Sequence, residues 1–260
     1  MLPEMLVVFC NCQSRCQTDA WKQAAEILAD SNGINMVTFT DLCGCCVAEP
    51  RKVAAIFGSA RKILMVACHP RAVQLLLDKA GITAFENIQW IDLLASGGEE
   101  LVAALNLQER PEKAGLVCNE LVADPSWPAW YPVIDSSRCT NCGQCADFCL
   151  FGVYRKEADR VTVVNPQACK NNCPACARIC PQVAIVFPKY AQEGPISGSG
   201  SFDEMKEMER HKLDVDNILG GDIYHALEQR KLKRRSIIRE QAMQKALSER
   251  EDAQNHSSLP

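Results

Sequence analysis

At 260 residues the chain is long enough for one large core or two smaller ones, and a formal net charge of -4 gives no global attraction for nucleic acid. No apolar stretch approaches the roughly 18 residues that a membrane span requires. Sixteen cysteines are far more than packing needs, and they demand either a disulfide framework or a set of metal ligands.

The N-terminus, "MLPEMLVVFCNC", has no basic leader region, and its short apolar run gives way to the polar "QSRCQTDAW" without a small-residue cleavage site. The expectation is a cytoplasmic protein whose thiols stay reduced, so that cysteine clusters act as metal ligands. Over residues 1–110 strand and helix patterns alternate. "MLVVFC" has strand length, and "TDAWKQAAEILADSNG" reads as a helix capped by Thr18 or Asp19 and closed by Gly33. "INMVTFT" is a β-branched strand, followed by a cysteine loop and by "EPRKVAAIFG", a helix opened by Pro50 and ended by Gly58. "KILMVACH" is a third strand, "PRAVQLLLDKAG" a further helix started by proline and ended by glycine, and "NIQWIDL" a fourth strand. This βαβαβαβ order predicts an α/β unit with a parallel sheet and helices on its faces.

Residues 111–134, with "DPSWPAWYP", read as a connecting segment whose Trp127, Trp130 and Tyr131 cover an apolar face. Residues 135–190 form a cysteine-dense α+β unit, and residues 191–260 a linker, "EGPISGSGS", with a charged, helical and partly disordered tail. Asp222 caps the tail helix, and its "RKLKRR" run reads as a solvated face, with docking onto an acidic partner as the alternative.

"CTNCGQCADFC" places Cys139, Cys142, Cys145 and Cys149 at C-x2-C-x2-C-x3-C spacing, and "CKNNCPACARICP" places Cys169, Cys173, Cys176 and Cys180 before Pro181. Two-residue gaps let a tight loop present successive thiolates to one face of an iron-sulfur cube, while the more distant fourth ligand must come from elsewhere. Four cysteines also satisfy tetrahedral zinc, but zinc motifs pair two hooks across a longer gap. Over residues 135–188 the chain resembles the bacterial-type ferredoxin with two 4Fe-4S clusters. That resemblance implies that Cys139, Cys142, Cys145 and Cys180 hold one cluster and that Cys149, Cys169, Cys173 and Cys176 hold the second. "CPQVAI" matches the family's usual ending, whereas Leu150 replaces its proline and Cys169 is separated from Cys173 by three residues, not two.

Cys10 and Cys12 follow the first strand, Cys43, Cys45 and Cys46 the second, and Cys68 ends the third; Cys16 lies in the same unit. The carboxyl ends of parallel strands share one edge, the edge where open α/β sheets bind ligands. Three readings stay open: a third iron-sulfur centre held by Cys10, Cys43, Cys46 and Cys68, a redox dithiol at Cys43 and Cys46, or buried cysteines acting as small apolar side chains. Only one of the adjacent Cys45 and Cys46 is expected to ligate, and Cys46 is the choice. His69, before Pro70, reads as local turn structure.

"CNC", "LCGCC" and "ACHPRAVQLLLDKAG" make residues 5–95 resemble the N-terminal region of the heterodisulfide reductase chain in which a cysteine-bearing α/β unit precedes a flavin domain. That resemblance implies an electron-transfer part of a larger oxidoreductase complex, with redox proteins as partners. No G-x-G-x-x-G follows a strand, so no FAD or NAD site of the dinucleotide type is found. The expected function is single-electron transfer. Its rivals are a thiol or disulfide reductase using the N-terminal cysteines, and a non-redox iron-sulfur scaffold.

Overall fold

A computed structural model describes residues 4–199, apart from 13, 16–17, 32–33, 97 and 107–117, together with isolated positions beyond 200. Met1–His211 form one compact unit and Lys212–Pro260 a second. The expected tail helix lies almost wholly outside the described residues, and the whole of "RKLKRR" lies there too.

The first unit opens with β1 (Met5–Cys10), α1 (Asp19–Asp30), β2 (Met36–Phe39), α2 (Leu42–Ala48), α3 (Pro50–Phe57), β3 (Lys62–Ala67), α4 (Pro70–Lys79), β4 (Ile88–Asp92), α5 (Glu99–Asn106) and β5 (Cys118–Leu121). The five strands form one parallel sheet in the order β4-β3-β1-β2-β5. Strands of such a sheet are covered on both faces and so read as continuous apolar runs, as "MLVVFC" and "KILMVA" do. Alternation then sends Leu6, Val8, Ile63 and Met65 into one core and Val7, Phe9, Leu64 and Val66 into the other. Trp21, Ala24 and Leu28 of α1, at helical spacing, seal the second core with Leu101 and Leu105 of α5. Val53, Phe57, Leu76 and Leu77 of α3 and α4 seal the first, each burial stabilising by about 1.5–3 kcal/mol.

The expected α/β sheet is present, with three local differences. β5 lies inside the segment read as a connector; an edge strand needs a partner on one side only, so the short, polar "CNEL" suffices beside β2. α5 is an additional helix, and Leu101, Ala104 and Leu105 carry its spacing. The expected cysteine loop at residues 42–48 is the helix α2: buried Asp41 caps it by accepting from the Gly44 N–H at 3.3 Å.

The cysteine-dense part follows as β6 (Val133–Ile134), α6 (Gln144–Phe148), β7 (Tyr154–Lys156), β8 (Val161–Val163), α7 (Ala175–Arg178) and β9 (Ile185–Val186). β6 pairs antiparallel with β9, and β7 with β8. The "EGPISGSGS" stretch does not behave as a linker where it is described. Ile196 and Ser197 are buried, and the Phe187 N–H donates to the Ile196 carbonyl at 2.6 Å. Gly198 takes φ +85°, and a Cβ there would stand 2.7 Å from that of Ala72 on α4. The missing side chain is what lets this segment lie against the helix.

Candidate metal centres

Cys139, Cys142, Cys145 and Cys180 line a single cavity walled by Ile134 and Ile185. Local chemistry aims them there. The Cys139 N–H donates to the Asp135 carbonyl at 3.0 Å, and Asn141 turns the chain at φ 57°, its side-chain oxygen accepting from the Val161 N–H. Gly143 then starts α6 at φ +84°, beneath the Lys156 side chain, whose ammonium donates to the Cys142 carbonyl at 3.1 Å. The Ala184 N–H donates to Cys180 Sγ at 3.3 Å. Burial pushes the Cys145 thiol up to about 12, with Cys180, Cys142 and Cys139 adding to the rise. Gathering four thiolates in an apolar cavity is unfavourable unless cationic metal offsets their charge.

The remaining four cysteines are related by their electrostatic effects on one another. Burial, then Cys173 and Cys149, push Cys169 up to about 12. Cys176 is raised further by burial and by the nearby Cys145, Cys169 and Cys149, against the opposing hydrogen bond from Tyr154. That phenol donates to Cys176 Sγ at 3.0 Å. The extra residue between Cys169 and Cys173 is absorbed by a turn in which Asn172 adopts φ 58°. Leu150, in place of the family's proline, is largely exposed beside Phe151. Among the described residues, no three Cys, His, Asp or Glu side chains gather tightly enough to hold one ion.

A further cavity lies at the switch point of the sheet, where the chain runs from β1 to β2 on one side and returns to β3 on the other. Cys10, Cys12, Cys43 and Cys68 line it, with Arg15, Trp21 and Lys189. Of the four N-terminal cysteines singled out from sequence, Cys10, Cys43 and Cys68 therefore meet, and Cys46 does not line the cavity. On α2, Cys46 is pushed up to about 12 by burial and then by Cys45 and Asp41, with Lys79 opposing. Cys45 donates to the Leu121 carbonyl at 3.8 Å. Cys16 lies outside the described residues.

Trp21 Nε1–H donates to the Cys10 carbonyl at 2.8 Å, and the Tyr131 hydroxyl to the Cys43 carbonyl at 2.7 Å, pinning two edges of this cavity. Hydrogen bonds from Cys10 and Ser14 lower Cys12 against burial, while the same Cys10–Cys12 contact and burial raise Cys10. Burial, then Asp41, raise Cys43; burial, then Cys12, push Cys68 up to about 12. Lys189 pairs with Asp41, and burial's lowering of its pKa is outweighed by Cys43 and Asp41. His69 is buried, and its Nδ1 shares a hydrogen bond with Asp92 at 2.8 Å, more than the turn role expected of it. Sequence reading missed Tyr154 and Lys189: no spacing rule ties either to a cysteine run, and only the fold brings them there.

Two hooked cysteine runs, four of whose thiols line one cavity, in a small frame of paired strands and short helices define an iron-sulfur, ferredoxin-like domain, which implies electron transfer. Residues 132–152 match the 4Fe-4S binding domain family, which places 4Fe-4S cluster binding in this part of the chain. The chain is 48% identical over 61 residues to an uncharacterized ferredoxin of Methanocaldococcus jannaschii, covering 23% of this chain and 42% of that relative. It thus spans less than half the length of the curated relative it matches. No solved structure matches. Among the described residues no helix is long and apolar enough to cross a membrane.

Proposed function

We propose that the protein is a cytoplasmic electron carrier within a larger oxidoreductase complex, passing single electrons through two 4Fe-4S clusters and a third iron-sulfur centre at the sheet edge. The carrying observation is how the two runs mix. Cys180 of the second run stands with Cys139, Cys142 and Cys145 around one cavity, and Cys149 of the first acts on Cys169 and Cys176. That crossing supports the ligand sets Cys139, Cys142, Cys145, Cys180 and Cys149, Cys169, Cys173, Cys176.

A bound 4Fe-4S cluster supplies reversible one-electron chemistry. The chain supplies thiolates, apolar walls that keep water away, and donors to sulfur from the Ala184 N–H and the Tyr154 hydroxyl. Both donors favour the state with more negative charge on sulfur. At the sheet edge the four soft donors lining the cavity suit iron and sulfide. The ligand set supported there is Cys10, Cys12, Cys43 and Cys68, with Cys12 in place of Cys46.

The anaerobically reconstituted chain should take up and return electrons reversibly in a potentiometric titration without any substrate. Transfer of iron to an apo-acceptor without a reversible redox cycle would instead establish a scaffold. A second reading, a thiol or disulfide reductase, draws on the lowered Cys12 beside Cys10. Rapid alkylation of Cys12 in iron-loaded protein, with iron retained, would favour it. Resistance of every N-terminal cysteine until iron is removed would dismiss it.

A further inference from the structure

The sheet-edge cavity is not built by the α/β part alone. Its thiols come from residues 10–68, yet part of its lining is Pro188 and Lys189, eight and nine positions after Cys180. This segment is held firmly. Phe187 is fully buried, the Arg15 guanidinium donates to the Tyr190 carbonyl at 3.0 Å, and the Tyr190 hydroxyl accepts from Arg178 at 2.8 Å. The Lys189 side chain is 7% exposed, its ammonium bonded to the Asp41 carboxylate and the Pro128 carbonyl. Arg15 is the second cation of the lining. Asp41, whose side chain is 1% exposed, caps α2 and is not among the residues lining the cavity.

A cation kept in place by burial and by bonds to two partners differs from one on a flexible surface chain. It cannot swing away when charge in the cavity changes, and its field acts through a medium that screens weakly. Asp41 cancels part of that field, but Lys189 lines the cavity and Asp41 does not. We infer that Lys189 is the charge-setting residue of the sheet-edge centre, supplied by the ferredoxin-like part to raise that centre's reduction potential. The inference rests on the reading of this cavity as a redox metal site.

The contrary possibility is a purely structural ion pair. Breaking one partner of a buried pair is destabilising, so three variants are needed: Lys189→Met, Lys189→Arg and the double variant Lys189→Met with Asp41→Asn, which leaves no unpaired carboxylate. Each full-length, anaerobically reconstituted protein is titrated potentiometrically, and the spectroscopic signal of the third centre is followed separately from those of the two ferredoxin clusters. In Lys189→Met the equilibrium constant for one-electron reduction of the third centre is expected to fall at least tenfold, which is about 59 mV for one electron. Lys189→Arg should stay close to the unaltered chain, the double variant should shift in the same direction by less, and the ferredoxin potentials should not move. A third centre whose midpoint is the same in all variants overturns the inference alone, as does equal loss of its signal in the Met and Arg variants. Absence of any third signal from the unaltered chain overturns the reading of the cavity as well.

Discussion

The Tyr154 hydroxyl reaches Cys176 Sγ at 3.0 Å from a half-buried side chain. Hydrogen bonds to charged acceptors contribute about 1.5–3 kcal/mol, and one aimed at cluster sulfur favours the reduced state. Tyr154→Phe should therefore lower the potential of the cluster assigned to Cys176 while leaving the other unchanged, as potentiometric electron paramagnetic resonance would show. An equal shift of both, or none, would count against the assignment. At the sheet edge the contrast lies between two cysteines. Cys12→Ala is expected to lower the iron content by about four atoms, and Cys46→Ala to leave it unaltered. The hooked runs of the ferredoxin-like part were legible because their spacing is local: closely spaced cysteines can be read along the chain, and residues 132–152 match a 4Fe-4S binding domain. The proposed exchange of Cys12 for Cys46 was not, because it depends on which way each side chain turns within a folded sheet edge.

α2 shows why at the scale of an element. Read as an extended loop, "LCGCC" places neighbouring side chains on opposite sides; wound into a helix by the Asp41 cap, it turns Cys43 to the cavity and leaves Cys46 outside the lining. The helix is short, three of its seven residues are cysteine, and its cap becomes visible only when Asp41 is seen to be buried and paired with a lysine 148 positions away. The strands, by contrast, were legible because burial on both faces makes them continuously apolar. The "EGPISGSGS" stretch misled by composition: glycine there serves close approach to α4. Gly198→Ala must place a Cβ 3.0 Å from the Ala72 backbone nitrogen at a φ of +85°. It is expected to cost about 1–3 kcal/mol and lower the melting temperature by several degrees, with iron content unchanged at room temperature. An unchanged melting temperature would mean that this segment does not rest on α4.

Across the first unit, the α/β and ferredoxin-like parts are tied by polar contacts at several points. Arg71 of α4 donates to Asp135 at 2.9 Å, Lys189 pairs with Asp41, and Tyr131 bonds to Cys43. Burial works to raise the Asp135 carboxyl, but hydrogen bonds from Ser137 and Arg71 outweigh it and hold the group below the usual carboxylate range. Stability from a depressed carboxylate is present above its unfolded pKa of about 3.9 and is lost as pH falls through the lower folded value. Arg71→Ala should thus destabilise by about 1–3 kcal/mol near neutrality, a difference that shrinks below about pH 4 in urea titrations. A deficit independent of pH would show that Arg71 acts through packing instead. These ties put the cavities of both parts within one compact unit, the arrangement that the proposed transfer of electrons between them requires.

The central claim is three iron-sulfur centres in one chain, and the most direct test is the iron and sulfide content of the anaerobically reconstituted protein, with electron paramagnetic resonance to count spins. The expected result is about twelve irons per chain, falling to about eight when Cys43 and Cys68 are both replaced by alanine, with the ferredoxin signals intact. About eight irons in the unaltered chain, or loss of all iron from that variant, would contradict it.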